Sequence, residues 1–260
     1  MWVRVPPRAQ IMSKNDHMKK NRDFFYLQYN QINWKNQEKT GINSSINNHI
    51  IQNIILKHPG TSISVFDIGF GIGYFIRMLC LALTKRYKKI IIEGTEPSKT
   101  NYDYYLTKVS KEIKIASSIK TFDNRFLDVK TSTTFDIITA IYVFPHFLFN
   151  ELQAVVDKIY SMLNEKGKFV LVLANEKYLK EKLDSEKDLF IESGEIEFNG
   201  KNYKEILHYS DIPEIGKLID YNREEVFYED LFVSKKFLLK SKEILDDNGF
   251  ICTLFVFQKE

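Results

Sequence analysis

A run of small and acidic residues between Ser62 and Phe75 has the spacing of a ligand-binding turn. It begins as an apolar strand that ends at Asp67. Three glycines follow at alternate positions: Gly69, Gly71 and Gly73. Because glycine has no side chain, a ligand can approach the backbone closely, and the next helix begins with unpaired N–H groups. The stretch therefore predicts a small-molecule site at the end of a strand.

A second acidic residue stands at the end of the next predicted strand. The segment from Lys89 to Glu96 is rich in isoleucine, and Pro97 follows it directly. A carboxylate has two acceptor oxygens, so Glu96 can hold both hydroxyls of a ribose. Glu93 is the competing residue, but it lies inside the strand. The glycines alone would also fit a tight turn without a ligand, and Glu96 is what favours a cofactor.

The pair formed by the glycine turn and Glu96 resembles motifs I and II of the class I S-adenosylmethionine-dependent methyltransferases. The resemblance is clear over residues 61–174 and looser over 224–260. It implies S-adenosylmethionine as the cofactor, S-adenosylhomocysteine as its product, and Asp123 as the acceptor for the adenine amino group, with Asp128 as the alternative. The cofactor-binding residues implied in this way are Asp67, Gly69, Phe70, Gly71, Gly73, Glu96, Pro97, Asp123 and Ile141.

Methyl transfer from a sulfonium is a direct displacement, so much of the catalysis can be positioning of the acceptor and exclusion of water. A hydroxyl acceptor also needs a base. His146 follows the predicted fourth strand, and His208 lies in a predicted insertion. Both are candidate bases, His146 ahead of His208, and for each the alternative is a packing role. We expect no metal site.

Aromatic side chains suit a sulfonium cation, and several stand near the predicted site. We expect the acceptor pocket to include Tyr26, Tyr29, Tyr142, Phe144 and Tyr209. For the two N-terminal tyrosines, packing of a helix onto the domain is an equally weighted alternative.

The order of predicted elements positions these residues at one sheet edge. It predicts an α/β fold with a Rossmann-like, doubly wound, seven-stranded sheet, mostly parallel with an antiparallel C-terminal strand. Alternating apolar and polar residues around Asn199-Gly200 predict a β-hairpin inserted after the fifth strand. After the insertion we expect a strand over 224–232, a helix capped by Ser234, and a last strand over 250–257.

The chain is predicted to hold one methyltransferase domain over residues 24–260. It includes an N-terminal helical cap at about 24–60 and an acceptor-side insertion at about 178–222. Residues 1–23 are expected to be a disordered tail. Arg-Val-Pro-Pro-Arg-Ala at residues 4–9 needs GC-rich codons, whereas the abundant Lys, Asn and Ile elsewhere indicate an AT-rich coding sequence. We therefore expect that the first eleven residues are read through from an adjacent transfer-RNA gene and that the natural start is Met12 or Met18. A genuine basic tail is the alternative.

Charge and composition bear on the partners. Residues 1–22 hold six basic side chains against one acidic side chain, although the whole chain carries a net charge of only +3. The remainder is therefore mildly acidic, which argues against a nucleic-acid partner. The stretch Tyr142-Val-Phe-Pro-His146 also lacks the Asn/Asp-Pro-Pro-Tyr/Phe motif with which nucleic-acid methyltransferases hold a flipped base.

The absence of a long apolar run or a signal peptide predicts a cytoplasmic protein without a membrane partner. We therefore predict a monomeric or homodimeric enzyme that methylates an oxygen or nitrogen of a small-molecule acceptor, such as a sugar or another metabolite. The alternatives are a nucleic-acid or protein methyltransferase and a Rossmann-like nucleotide-binding protein without methyl transfer. An oxidoreductase is disfavoured because Tyr74 stands where the dinucleotide fingerprint needs its third glycine.

Overall fold

A computed structural model describes residues 43–113, 118–212 and 216–260. The predictions for Tyr26 and Tyr29, for the disordered tail and for the position of the start codon lie outside the described residues. In the described part of the chain, no helix is both long enough and apolar enough to span a membrane.

Across the described residues the chain forms ten strands. They are β1 (Ser62–Ile68), β2 (Lys89–Thr95), β3 (Ser118–Phe122), β4 (Phe135–Ile141), β5 (Leu163–Ala174), β6 (Phe190–Phe198), β7 (Lys201–Ile212), β8 (Gly216–Arg223), β9 (Phe237–Asp247) and β10 (Phe250–Lys259). The main sheet has the order β3-β2-β1-β4-β5-β10-β9. Its first five strands pair in parallel, and β10 runs antiparallel to both neighbours. The predicted fold class is confirmed.

Helices cover both faces of this sheet. They are α1 (Ser44–Ile50), α2 (Tyr74–Leu83), α3 (Lys99–Tyr104), α4 (Phe149–Met162), α5 (Glu176–Ser185) and α6 (Glu225–Ser234). Helix α1 continues as a π-helical turn over Ile51–Ile55, and α3 continues over Tyr105–Val109 and Ser110–Glu112.

Successive side chains of a strand point to opposite faces of the sheet, so each strand contributes to two hydrophobic cores, one on each face. In β1, Ile63 and Val65 pack with α1 and α2, whereas Phe66 and Ile68 pack with α4 and α6 on the other face. Strands β2 and β4 flank β1, and the helices that follow β2 and β4 lie on opposite faces of the sheet. The strand order therefore reverses at β1. Doubly wound sheets bind ligands at such a point, at the carboxyl ends of the strands.

The insertion after β5 forms a separate antiparallel sheet, β6-β7-β8. The hairpin predicted around Asn199-Gly200 is present, and both turn residues have positive φ, 52° and 74°, as a two-residue hairpin turn requires. Strand β8 extends this hairpin to three strands. The sequence analysis missed β8, which pairs with β7 along its whole length.

Two elements near the C-terminus were predicted with exchanged types. The expected strand over 224–232 is helix α6, and the expected helix after Ser234 is strand β9. Helix α6 buries one face, formed by Phe227, Tyr228, Leu231 and Phe232. Three of these residues are aromatic, and because aromatic residues are enriched in strands, the sequence favoured a strand here. Strand β9 forms the edge of the sheet and exposes Leu238 and Ile244, so its apolar residues do not mark one buried face.

Replacing Gly73 by alanine should destabilise the fold. Gly73 has φ +85°, and a Cβ there would lie 2.3 Å from the Tyr105 ring. We expect the Gly73→Ala variant to lose about 1–3 kcal/mol in the free energy of unfolding, measured by urea denaturation. Gly194 in β6 is the matched control, since a Cβ there meets nothing within 4 Å. Equal stability of the two variants would contradict the packing described for the glycine turn.

Candidate active site

The glycine turn after β1 is held against the end of β2. The N–H groups of Gly69 and Phe70 donate to the carbonyl of Thr95, at 2.7 and 3.1 Å. Gly73 has no room for a side chain, but a Cβ on Gly71 would meet nothing within 4 Å. Gly71 is therefore a point at which a ligand can approach the backbone.

Glu96 ties this turn to the next helix. Its Oε2 accepts the N–H of Gly71 and its Oε1 accepts the N–H of Ser98, both at 2.8 Å. The side chain is 1% exposed, and burial raises the pKa of the carboxyl to about 7, against the opposing effect of these hydrogen bonds. Each oxygen accepts one of these N–H groups and has a second lone pair, so Glu96 can brace the turn and still accept a hydroxyl.

Asp67 is the second buried carboxylate at this edge. Its Oδ1 accepts the hydroxyl of Thr139, the neighbouring residue in β4, at 2.7 Å. Burial and, to a smaller extent, the nearby Glu96 raise the pKa of Asp67 to about 7, against the opposing effect of the hydrogen bond from Thr139. Two acidic groups that share a dry site disfavour each other's ionisation, and a cationic ligand would favour it.

A cavity of about 500 Å³ opens beside the turn, above the carboxyl ends of β4 and β5. Its other walls come from α1, α5, the inserted sheet and the turn between β9 and β10. Its lining combines aromatic and leucine side chains with several asparagine, aspartate and histidine side chains.

Most of the sequence-predicted site residues reach this cavity. Those that line it are Asp67, Gly69, Phe70, Gly71, Ile141, Tyr142, His146, His208 and Tyr209. Gly73, Glu96, Pro97 and Asp123 lie outside the lining. Asp123 is exposed directly after β3, whose last residue, Phe122, accepts the N–H of Glu96 at 3.0 Å. The two predicted cofactor acids thus stand at the same sheet edge.

Phe144 does not reach the cavity, although it was expected in the acceptor pocket. It is fully buried on the opposite side of its turn, with ring centroids 5.6 Å from Phe169 and 5.8 Å from Phe232. The short 3-10 turn Phe144–His146 directs its first residue into the core and its last into the cavity.

His146 faces a carboxylate that the inserted sheet supplies. Its Nδ1 lies 3.2 Å from Oδ1 of Asp220 in β8, and Oδ2 of Asp220 accepts the hydroxyl of Ser210 at 2.5 Å. Burial lowers the pKa of His146, and Asp220 opposes this effect. The imidazole is therefore neutral near pH 7 and able to accept a proton. Asp220 was not predicted from the sequence because β8 carried no clear strand pattern, and Ser210, in β7, was not predicted because its partner Asp220 lies in β8.

His208 is a cross-strand neighbour of Asp220. The side chain is 3% exposed and borders the cavity, and its Nδ1 has no hydrogen-bond partner within the part of the chain that the structure describes. A buried polar atom without a partner is costly, so a ligand that hydrogen-bonds here would remove that cost.

Tyr142 carries backbone strain at the mouth of β4. Its φ is +57°, and its ring meets Phe250 edge-on with centroids 5.5 Å apart. Positive φ is uncommon for a bulky residue and clusters at functional sites, where surrounding structure holds it. Burial raises the pKa of the Tyr142 hydroxyl well above its ordinary value, so the hydroxyl stays protonated.

Burial of Asp67 should make stability depend on pH. An acid whose pKa is higher in the folded chain binds more protons there, so the free energy of unfolding falls as pH rises from about 4 to about 7. We expect urea denaturation at about pH 5 and about pH 7.5 to show a smaller fall for Asp67→Asn than for the wild type. Asp184→Asn, at an exposed site in α5, should behave as wild type. An equal fall in the free energy of unfolding for Asp67→Asn and Asp184→Asn would contradict the raised pKa of Asp67.

A family model described as a methyltransferase domain matches residues 44–211. No curated protein is similar to the chain at a significant level.

Solved structures share the fold. Burkholderia thailandensis 1,6-didemethyltoxoflavin-N1-methyltransferase has TM-score 0.61 and 11% identity, and covers 98% of this chain and 94% of its own. Magnesium protoporphyrin IX methyltransferase from Synechocystis PCC 6803 has TM-score 0.59 and 9% identity, and covers 97% and 100%. The glycopeptide N-methyltransferase MtfA has TM-score 0.56 and 12% identity, and covers 81% and 92%.

At these identities the structural likeness establishes the fold alone. The family model, however, spans more than half of the chain, and it covers the glycine turn, Glu96 and His146. The chain therefore belongs to the methyltransferase-domain family, and the S-adenosylmethionine-dependent class predicted from its motifs is confirmed.

Proposed function

We propose that the enzyme transfers the methyl group of S-adenosylmethionine to an oxygen or nitrogen of a small-molecule acceptor, with His146 as the base. The observation that carries this proposal is the position of His146. It shares one cavity with the glycine turn, and its imidazole is neutral and faces Asp220 at 3.2 Å. The glycine turn and the proposed base thus border the same cavity.

The residues of the turn fit the cofactor. Gly71 has open space where a side chain would stand, and Asp67 borders the cavity with a buried carboxylate that a cation would stabilise in its ionised form. Glu96 would accept the ribose hydroxyls, and Asp123 would accept the adenine amino group, as the family resemblance implies. The cofactor supplies the methyl group and its own leaving group.

The acceptor's heteroatom attacks in line with the carbon–sulfur bond. A lone pair of the heteroatom forms the new bond to the methyl carbon, the S–CH₃ bond breaks, and its electron pair stays on sulfur to give S-adenosylhomocysteine. The acceptor's proton passes to Nε2 of His146, because Nδ1 faces Asp220. A cofactor and an acceptor that fill the cavity would displace water, which would otherwise compete as a nucleophile.

A small acceptor fits the size and lining of the cavity. Tyr142, Tyr178 and Phe250 form an aromatic corner, in which the Phe250 ring centroid lies 5.5 Å from that of Tyr142 and 5.3 Å from that of Tyr178. The structural neighbours named above include a toxoflavin-precursor methyltransferase and a porphyrin methyltransferase, which support an acceptor of metabolite size. We further propose a cytoplasmic monomer or homodimer without nucleic-acid or membrane partners.

Removing the charge of Glu96 should weaken cofactor binding. A glutamine there has one acceptor oxygen, so it cannot accept both backbone N–H groups and ribose hydroxyls as the carboxylate does. We expect Glu96→Gln to lose about 1–3 kcal/mol of S-adenosylmethionine affinity in isothermal titration calorimetry.

Glu93 is the matched control for this measurement, because it is buried in β2, three residues before Glu96, and accepts a hydrogen bond from Thr133. Glu93→Gln should bind the cofactor as wild type does. Equal affinity in Glu96→Gln and wild type would contradict the ribose role. If the wild type itself fails to bind S-adenosylmethionine, the proposed function is wrong.

Loss of the base should lower turnover but not cofactor affinity. With a hydroxyl acceptor identified by release of S-adenosylhomocysteine, we expect His146→Ala to reduce kcat about 10²- to 10⁴-fold. His58→Ala is the control, since His58 lies near Asp136, at the start of β4 and away from the cavity. Full activity of His146→Ala would exclude His146 as the base, leaving His208 or an amine acceptor that needs none.

A further inference from the structure

We propose that strand β8 of the inserted sheet positions His146 through two residues, Asp220 and Arg223. Asp220 orients the imidazole, and Arg223 holds the backbone that follows it. The inference rests on the proposed function, in which His146 accepts the acceptor's proton, and assigns the insertion a part in forming that base.

Asp220 determines which imidazole nitrogen carries the proton. Its Oδ1 is 3.2 Å from Nδ1 of His146, and a carboxylate can only accept a hydrogen bond. In this proposal the neutral ring carries its hydrogen on Nδ1, toward the carboxylate, and keeps Nε2 as the basic nitrogen. Ser210 restrains the carboxylate, because its hydroxyl donates to Oδ2 at 2.5 Å from the neighbouring strand β7.

Arg223 lies three residues further along β8 and is 1% exposed. Its Nη2 donates to the carbonyl of Phe147, the residue after His146, at 3.1 Å. Its Nε lies 2.7 Å from Oε2 of Glu205, its register partner in β7. A planar guanidinium can make both contacts at once, and the ion pair compensates the burial of its charge.

These contacts matter because His146 lies in a short turn. The turn is a single 3-10 segment with two local hydrogen bonds, from His146 to Val143 and from Phe147 to Phe144. Strand β8 adds one contact to the side chain and one to the main chain of this turn. Contacts at both points restrict the movement of the imidazole, which keeps it in a productive orientation toward the acceptor.

Nuclear magnetic resonance of ¹⁵N-histidine-labelled protein saturated with S-adenosylhomocysteine tests the orientation without a known acceptor. His146→Gln assigns the resonances. In the wild type we expect the neutral ring of His146 to carry its hydrogen on Nδ1. A hydrogen on Nε2 in the wild type would overturn the proposal, whatever the variants show.

Asp220→Asn should change both the pKa and the tautomer of His146. The carboxylate stabilises the imidazolium, so we expect its loss to lower the pKa by about one unit or more. The amide can donate as well as accept, so both tautomers should be populated. Glu195→Gln, an exposed site in the same inserted sheet, should change neither property. If Asp220→Asn matches the wild type in both properties, Asp220 has no positioning role.

Arg223→Lys tests the backbone contact. A lysine cannot reach the Phe147 carbonyl and Glu205 with the fixed geometry of a guanidinium, so we expect a second set of His146 resonances. Lys204→Gln, at an exposed site in β7, is the control and should retain one set. A single unchanged set in folded Arg223→Lys would remove Arg223 from the proposal. Failure of the wild type to bind S-adenosylmethionine would instead contradict the proposed function, so the two failures are distinguishable.

Discussion

The carboxylate of Glu96 is the contact on which the cofactor side of the site depends. It accepts N–H groups from the glycine turn after β1 and from the start of the segment after β2, so one buried side chain joins two strand–helix units. The carbonyl of Thr95 completes this link by accepting from Gly69 and Phe70. Because these donors are backbone groups, they fix the path of the turn directly, and the positive φ of its glycines permits that path.

The acceptor side has a different origin. The reversal of strand order at β1 leaves an opening at the carboxyl edge of the sheet, as it does in other doubly wound folds. Here the inserted sheet, α5 and the β9–β10 turn close that opening into a cavity. The insertion also brings Asp220 to His146, so the proposed base and the carboxylate that faces it come from segments far apart in sequence. The insertion thus forms part of the surroundings of His146 as well as part of the cavity wall.

Burial gives the site its electrostatic character. Asp67 and Glu96 stand close together away from water, and the pKa of each is raised to about 7. Burial acts in the opposite direction on His146, whose pKa is lowered. Near neutral pH the cavity therefore offers the carboxyl of Asp67, which a cation can ionise, and the neutral imidazole of His146, which suits a sulfonium donor and a protic acceptor.

Local patterns in the sequence determined the parallel core, the glycine turn, Glu96, His146 and the Asn199-Gly200 hairpin. Each of these features was predictable from residues adjacent in sequence: from a run of apolar residues in a strand, from closely spaced glycines, or from the residue types of a two-residue turn. Tertiary structure decided the rest. Long-range packing made 225–234 a helix and 237–247 an edge strand, directed Phe144 into the core, and paired Asp220 with His146. Such outcomes depend on contacts between distant segments, which no local pattern encodes.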